Sequence, residues 1–339
     1  MPTMDVFNSD AFSLRSLTAA IEKAPHRPGR IGELGLFVDR PVSTTIVQVE
    51  EKDGQLTLIP TSPRGGVPDS IGADARRMRA FKVPHLARES QILADEIQGV
   101  RAFGTESELE TVQSVVNDRL ATLRAMHEVT REHLRMGALK GLILDADGLT
   151  TIYDLFSEFG VEQHVVDFDF ADPTLEVRSK CKDVLRAIED ELGAATYTRA
   201  HAFCSASWFD ALIDHPIVKE TFKYREGEVL RQDIRRGFEF GGITFEEYRG
   251  KVGAVDFIAD GEAYCFPLGA MVASGPLFQT FNAPADFEET VNTPGQPIYA
   301  KLARDLELNR WVKLHTQSNP LPLCLRPAAV IKLTMVGST

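Results

Sequence analysis

The segment from Val42 to Pro84 most constrains how this chain folds, because few of its residues can form a core together. It begins with the alternating, β-branched run Thr45–Val49, passes through Pro63-Arg64-Gly65-Gly66-Val67-Pro68 and ends in a basic stretch. A stretch of about 40 residues with so little packing is uncommon in a compact domain unless it has a function. We expect an extended loop that docks onto a neighbouring molecule, with a solvated loop as the alternative.

The start of this segment has the pattern of a β-hairpin. Thr45–Val49 alternates, Asp53-Gly54 supplies turn residues, and Leu56–Ile59 alternates back. The net charge of the chain is −12, so basic side chains on the loop suit an acidic neighbour such as a second copy. The candidate inter-subunit contact residues are Arg64, Arg76, Arg77, Arg79 and Lys82.

Composition indicates a soluble chain with a substantial core. The 339 residues are 43% hydrophobic and 25% charged, which suits one large or two medium domains. No apolar run is long enough for a membrane helix, and the first residues lack the pattern of a secretory signal. The acidic net charge argues against tight surface binding of nucleic acid, since phosphate binding requires a basic face. An acidic wall can still enclose DNA without adhering to it.

Two amphipathic helices are indicated before residue 140. The first, Ser13–Lys23, has too little apolar surface to fold alone, so it must lie on another part of this chain or on a neighbour. The second spans Thr105–Met136, with a capping box at its start and Gly137 or Gly141 as its end. Its charged face is expected to be solvated and carries Asp118, Arg119, Arg124, Glu128, Arg131 and Glu132.

Helices and strands are mixed in the remainder of the chain. A helix is predicted from Asp172-Pro173 to Gly193. A strand at Thr198–Cys204 leads into a helix capped by Ser205, and further strand patterns follow from Phe238 to Val336. This order of elements predicts an α+β fold.

The search for catalytic residues finds one local pattern of interest. Leu142–Leu144 followed by Asp145-Ala146-Asp147-Gly148 is similar to the first motif of haloacid-dehalogenase-type phosphatases, in which the first Asp is the nucleophile. That motif normally follows the first strand of a doubly wound sheet, whereas here a long helix precedes it. Asp147-Gly148 is equally typical of a hairpin turn, and we favour the hairpin.

Other reactive residues form no convincing site. His201 and Cys204 stand three apart on a predicted strand, where their side chains would face opposite sides. The histidines show no metal-binding spacing, and no glycine-rich loop has a phosphate-binding pattern. We therefore expect no enzyme activity, cofactor or metal. The widely spaced Cys181, Cys204, Cys265 and Cys324 are expected to be reduced and mostly buried.

Several short sequence segments, found in this order across nearly the whole chain, form a combination that is more specific than any one of them. The segments are Gly35-Leu36-Phe37, Glu96-Ile97-Gln98-Gly99 with Phe103-Gly104, Phe238–Gly250, Phe266-Pro267-Leu268-Gly269, Phe281–Asp286, Glu289–Gly295 and Gln317–Leu321. Together they resemble the lambda-type major capsid proteins of tailed phages and prophages, the major capsid protein E family. The resemblance implies an α+β fold of the Hong Kong 97 type.

The resemblance also implies a division of the chain and a function. The function would be that of a major capsid protein, which assembles as hexamers and pentamers into an icosahedral phage head around double-stranded DNA. Scaffold, portal and decoration proteins would be its other partners. The protein would assemble in the cytoplasm of the bacterial host and would be located in the capsid of the virion. The implied parts are an N-terminal arm (1–41), an extended β-hairpin loop (42–84), a peripheral domain (85–195) with a spine helix (105–136), an axial domain (196–320) and a C-terminal strand returning to the peripheral domain (321–339).

Three alternatives remain open from the sequence. An encapsulin-like compartment would share the fold and enclose protein cargo. A phosphatase would use Asp145 and Asp147. A non-catalytic binding protein would remain monomeric.

Overall fold

The computed structural model describes residues 10–23, 29–52, 76–93, 96, 108–193, 195–223, 233–253, 255–272, 275–305, 307 and 310–335. The chain divides into two compact units, each built from segments that are distant in sequence. Unit 1 comprises Met1–Val47, Phe81–His133 and Thr280–Pro322, and unit 2 comprises Gln48–Ala80, Leu134–Gln279 and Leu323–Thr339.

Helices and strands both contribute to the described residues, as expected for the α+β class. The helices are α1 (Leu14–Lys23), α2 (Arg30–Glu33), α3 (Glu108–Lys140), α4 (Leu155–Phe159), α5 (Val177–Leu192), α6 (Ala206–Asp214) and α7 (Pro216–Lys223). The strands are β1 (Val38–Pro41), β2 (Ile46–Lys52), β3 (Arg76–Lys82), β4 (Leu86–Leu93), β5 (Leu142–Leu144), β6 (Thr151–Asp154), β7 (Val165–Phe168), β8 (Arg199–Cys204), β9 (Phe238–Phe240), β10 (Ile243–Glu247), β11 (Lys251–Val252), β12 (Val255–Asp256), β13 (Glu262–Leu268), β14 (Met271–Val272), β15 (Gly275–Pro276), β16 (Phe278–Asn282), β17 (Tyr299–Arg304), β18 (Trp311–Ser318), β19 (Pro320–Cys324) and β20 (Ile331–Met335). Within the described part of the chain, no helix is long and apolar enough to cross a membrane.

Unit 1 contains an antiparallel sheet in the order β17-β18-β4. The predicted N-terminal helix is confirmed as α1, which packs on β17 of the same chain. Thr18 Oγ1 accepts a hydrogen bond from Ala300 N at 3.3 Å. The apolar face of α1 is therefore buried within its own subunit. The shared core consists of Phe12, Leu17, Ile21, Ile92, Val116, Leu120, Leu123, Ile298, Ala300, Val312 and Leu314.

Unit 2 contains a mixed six-stranded sheet in the order β7-β20-β13-β8-β10-β9. The strand predicted before Ser205 is β8, and the Ser205 hydroxyl caps α6 by accepting a hydrogen bond from Trp208 N. Trp208 lies in the aromatic core of the unit, stacked on Phe245 and in edge contact with Phe168. Large aromatic rings are therefore a prominent part of this core, together with aliphatic side chains such as Ile188 and Leu212.

The long helix α3 ends at Lys140, four residues beyond Met136, so of the two glycines predicted as its end Gly141 is confirmed and Gly137 is not. Gly137 lies inside the helix. A Cβ there would come within 2.9 Å of the backbone of Leu142 and Ile143, so glycine permits this close approach. The helix ends at Gly141, which adopts a positive φ of 84°. With 33 residues, α3 is about 50 Å long at a rise of about 1.5 Å per residue. The predicted capping residues Thr105, Glu106 and Ser107 lie outside the described residues.

The helix expected to begin at Asp172 begins at Val177 instead. The Asp172 carboxylate accepts hydrogen bonds from both the backbone N and the hydroxyl of Thr174, at 2.8 and 2.7 Å. These bonds close a local turn, so Asp172 acts as a turn residue and not as a helix cap. The predicted stop at Gly193 is confirmed, since α5 ends at Leu192.

The predicted loop 42–84 contains a two-stranded sheet of β2 and β3, which we call the ribbon. Its first strand confirms the strand predicted at Thr45–Val49. The predicted turn at Asp53-Gly54 and the return arm Leu56–Ile59 lie outside the described residues. The partner of β2 is the basic stretch Arg76–Lys82, which the sequence did not indicate as a strand.

The compact units follow boundaries other than those implied by the resemblance. Residues 280–320 of the implied axial segment belong to unit 1, and 196–279 belong to unit 2. The last strand, β20, runs parallel to β7 and antiparallel to β13. It therefore joins a strand of the implied peripheral segment to one of the implied axial segment.

Candidate inter-subunit surfaces

Four of the five candidate contact residues lie on β3 of the ribbon. Lys82 is exposed at the end of the strand. Arg76 and Arg77 belong to β3, but their side chains are outside what the structure describes, and Arg64 lies outside the described residues. An acidic contact on a neighbour therefore stays a prediction for these residues.

Arg79 contacts its own chain. Its Nη2 donates a hydrogen bond to the carbonyl oxygen of Phe159 at 3.1 Å, and its guanidinium lies 5.3 Å from the centroid of the Phe159 ring. Phe159 is the last residue of α4, where backbone carbonyls lack helical partners. An arginine suits this position because its planar cation can stack on a ring while donating to a carbonyl. Arg79 thus fastens β3 to α4 within unit 2.

The ribbon and the long helix expose apolar side chains. On the ribbon, Ile46 is 50% and Met78 is 62% exposed. On α3, Met126 is 46% and Val129 is 44% exposed. Residues three apart on a helix share a face, so Met126 and Val129 form one apolar stripe. The sequence analysis did not predict this stripe. The available signal was that Met126 and Val129 are apolar but lie outside the core periodicity of the helix.

The charged face of α3 is solvated in part: Asp118 and Arg119 are exposed as expected, and Glu128 is partly buried. Arg124, Arg131 and Glu132 are all buried in unit 1. Arg124 donates to the carbonyl oxygens of Ile21 and Glu22 at the end of α1. These charged side chains therefore stabilise packing within the subunit by hydrogen bonding to groups on other segments of unit 1.

Glu132 and a further buried residue of α3, His127, bind the segments beside the helix. Glu132 accepts a hydrogen bond from Ile31 N at 2.7 Å. His127 contacts the hydroxyls of Ser318 at 2.8 Å and Thr316 at 3.0 Å. Burial, and then the positive charge of Arg131, lowers the pKa of His127 to about 4. His127 is therefore neutral at pH 7 and fixes α3 against β18.

The Asp145–Asp147 pair lies in the turn between β5 and β6, which form a separate antiparallel two-stranded sheet. Asp147 accepts hydrogen bonds from the hydroxyl and backbone N of Thr150 and from Leu149 N. These bonds lower the pKa of Asp147 to about 2, so it is poorly suited to act as a general acid. The hairpin interpretation is confirmed.

The His201 and Cys204 pair also has a structural environment. His201 Nε2 lies 3.1 Å from Glu246 Oε2, and both side chains are buried in the sheet of unit 2. Burial raises the pKa of the Cys204 thiol well above its usual value, which disfavours a thiolate. The four cysteines are free and buried, as predicted. Within the described ranges, no three His, Cys, Asp or Glu residues are grouped as metal ligands.

Solved structures identify the fold. The putative capsid protein of an Escherichia coli CFT073 prophage superposes with a TM-score of 0.55 at 11% identity, over 96% of this chain and 99% of that one. A subunit of the bacteriophage PhiM1 mature capsid superposes with a TM-score of 0.52 at 10% identity, over 89% and 86% of the two chains. The fold is thus the Hong Kong 97-type fold of phage capsid subunits.

Sequence relatives identify the family. The chain is 33% identical to the major capsid protein of Pseudomonas phage KPP10, across 95% of this chain and 96% of that protein. It is 28% identical to the major capsid protein of Salmonella phage Felix O1, across 94% and 95%. The chain belongs to the phage major capsid protein E family, because the model of this family matches residues 13–335. This family has a structural role, so the phosphatase, compartment and monomeric-binder alternatives are not favoured.

Proposed function

We propose that this chain assembles with copies of itself, as hexamers and pentamers, into the icosahedral head that encloses the double-stranded DNA of a tailed phage. Family membership supports a capsid role. The structural observation that carries the proposal is the ribbon, a two-stranded sheet that exposes Ile46 and Met78. Exposed apolar side chains on an extended element are typical of surfaces that become buried on association.

We propose that the ribbon of one subunit packs on the exposed stripe of α3 in the next subunit. Met126 and Val129 offer apolar contacts, and the exposed Asp118 lies two turns earlier on the same helix. An acidic group beside the stripe suits the basic residues of β3, and charge complementarity would set the register of docking. Repeated contacts of this head-to-tail kind close into rings.

The remaining partners and the location belong to the same proposal. Scaffold, portal and decoration proteins are further partners, and assembly takes place in the cytoplasm of the bacterial host before the chain becomes part of the virion. The net charge of −12 favours an inner wall that encloses DNA without sequence-specific binding.

We further propose that the peripheral domain includes residues 280–320 as well as the long helix. In support, β17 and β18 pair with β4 in unit 1. The axial domain would then be confined to unit 2, with the arm at 1–41 and the loop at 42–84 unchanged.

The direct test is negative-stain imaging and sedimentation of the expressed full-length chain. Closed shells or tubes are expected, and particles that remain monomeric at high concentration would overturn the proposal. The double charge reversal Arg76→Glu with Arg77→Glu should block assembly and leave a folded subunit. Because Arg79 binds Phe159 within its own chain, Arg79→Glu is tested separately as a variant of subunit stability.

A further inference from the structure

The helix α5 of unit 2 carries four residues in a single row along the side that faces away from the sheet. The row consists of Arg178, Lys182, Leu185 and Glu189, of which Leu185 is half-buried and the other three are exposed. At about 3.6 residues per turn, the four side chains lie within about 60° of one another around the helix axis. Their spacings alternate between four and three residues, as in the seam of a coiled coil. The row is therefore placed to meet another helix.

The two ends of this row carry opposite charges. Arg178 lies in the first turn of α5, and Glu189 lies in the last. The spacings stay the same when the helix is reversed, so an antiparallel copy of α5 places Arg178 opposite Glu189 at both ends of the pair. Lys182 then lies opposite Leu185, where its aliphatic stem covers the leucine while its amine stays in water. The row is thus complementary to itself.

These charges oppose the dipole of their own helix. Acidic side chains stabilise a helix near its N-terminus, and basic side chains stabilise it near its C-terminus. In contrast, α5 has no acidic residue in its first turn and no basic residue in its last. Glu189 accepts a hydrogen bond from the Tyr197 hydroxyl at 3.2 Å and is nevertheless exposed. Helix stability therefore does not account for the positions of Arg178 and Glu189, whereas an opposed copy of the helix does.

The helix is also held closely against the sheet of unit 2. Gly241 and Gly242, in the turn between β9 and β10, adopt positive φ values of 61° and 89°. A Cβ on Gly241 would lie 2.5 Å from Cys181 Cβ, and one on Gly242 would lie 3.1 Å from Leu185 Cδ1. The two glycines thus let this turn pack directly against α5. A surface that is held rigid in advance loses less entropy when it binds.

We propose that α5 pairs antiparallel with α5 of a second copy across a two-fold axis, with Arg178 of each copy bound to Glu189 of the other. An isologous contact of this kind joins two subunits and closes on itself. In the proposed shell, on which this role rests, such contacts join neighbouring rings, since the head-to-tail contact of ribbon and α3 acts within a ring. A polyanion such as DNA is a poorer partner, because Glu189 and the exposed Asp190 repel phosphates.

The test reads the pairing by chemical cross-linking of the full-length chain. Lys182→Cys supplies one exposed thiol near the centre of the pair, and the four native cysteines are buried. A short bismaleimide should then link two copies into a covalent dimer, and the yield of that dimer is measured on a denaturing gel. All charge variants are made in this background.

Arg178→Glu and Glu189→Arg should each lower the dimer yield roughly tenfold, because each turns two attractive contacts into two repulsive ones. Both reversals agree with the helix dipole, so the subunit should remain folded. The double variant exchanges the charges and should recover the parental yield. Positions 178 and 189 are about 16 Å apart along one helix, so this recovery reports a contact between two copies.

Asp190→Arg is the matched control, because it makes the same charge change in the same turn about 100° away from Glu189 around the axis. It should leave the dimer yield unchanged. An absence of linkage in the parent, or single losses that the double variant does not recover, would overturn the pairing. Tighter association in Glu189→Arg would also overturn it, since a polyanionic partner predicts that result. Shells that form without linkage count against the pairing alone, whereas linked pairs that form no shells count against the proposed function.

Discussion

Each of the two units of this subunit is stabilised internally by a different kind of interaction. In unit 1, buried polar side chains of the long helix bond to specific atoms of the segments around it, as His127 does to Ser318 and Thr316. In unit 2, aromatic rings pack together in the sheet core, with Trp208 against Phe245 and Phe168. Unit 1 thus adds directional bonds from α3 to its apolar core, whereas packing of large rings is prominent in unit 2.

This difference has a physical consequence for each unit. Apolar packing is non-directional and depends mainly on the area and volume buried. Buried hydrogen bonds require particular geometry, and an unpaired partner is costly. Polar contacts such as Arg131 with Asn282 therefore fix particular atoms of unit 1 against one another.

The largest expected effect is on the aromatic core of unit 2. Trp208 is completely buried, so Trp208→Ala removes apolar contacts and leaves a cavity. We expect a loss of about 3–5 kcal/mol in the free energy of unfolding, measured by denaturant titration followed by circular dichroism. Trp311→Ala is the control, because Trp311 is only half-buried and lies beside Lys313. Equal losses of unfolding free energy in the two variants would contradict the importance assigned to the aromatic core of unit 2.

A smaller effect is expected when His127 of unit 1 is protonated. The pKa of His127 is lowered from 6.5 to about 4 in the folded chain, mainly by burial. Between these two values the unfolded chain binds the proton more readily, so stability falls as the pH is lowered from about 6.5 towards about 4. The pKa difference corresponds to a loss of about 2 kcal/mol between pH 7 and pH 5.

His127→Gln should flatten this pH dependence, because a glutamine does not titrate. His164→Gln is the matched control, since His164 is exposed and pairs with Glu191 at the surface. The measurement is the free energy of unfolding at intervals from pH 7 to pH 4. A parental slope in His127→Gln would show that other groups govern the acid sensitivity of unit 1.

Much of the local structure could be predicted from periodicity and caps. Ser205 was correctly predicted as a helix cap, and α1 was found within one residue. The errors arose where a local signal has two structural meanings. Asp172 closes a turn instead of capping a helix, and Gly137 is needed for the close approach of a strand instead of for a helix end. Pattern alone does not distinguish these cases, because the deciding contact is with residues elsewhere in the chain.

The candidate surface was predicted only in part. The extended segment was recognised from its lack of core residues, but β3 was not predicted as the partner of β2, because that pairing joins residues distant in sequence. The buried face of α3 was misassigned, since Arg124 and Arg131 have the composition of a solvated face. Their burial depends on the backbone groups of α1 and Pro297 that they bind. Such tertiary partners leave no periodic signal in the sequence.

The smallest effect on folding is expected on the opposite face of the same helix. Met126→Gln with Val129→Thr replaces the exposed stripe by polar residues of similar shape, and it removes little that is buried in the subunit. We expect the free energy of unfolding to change by no more than about 0.5 kcal/mol. If the stripe receives a neighbour's ribbon, the yield of shells should nevertheless fall sharply, as measured by sedimentation and imaging. Arg119→Gln, elsewhere on the exposed side of α3, should assemble normally. Normal shells from the stripe variant would show that the exposed face of α3 is not the docking surface, whereas a loss of both stability and assembly would mean that the stripe also stabilises unit 1. Only a loss of assembly with stability retained separates the face that holds the subunit together from the face that joins it to another.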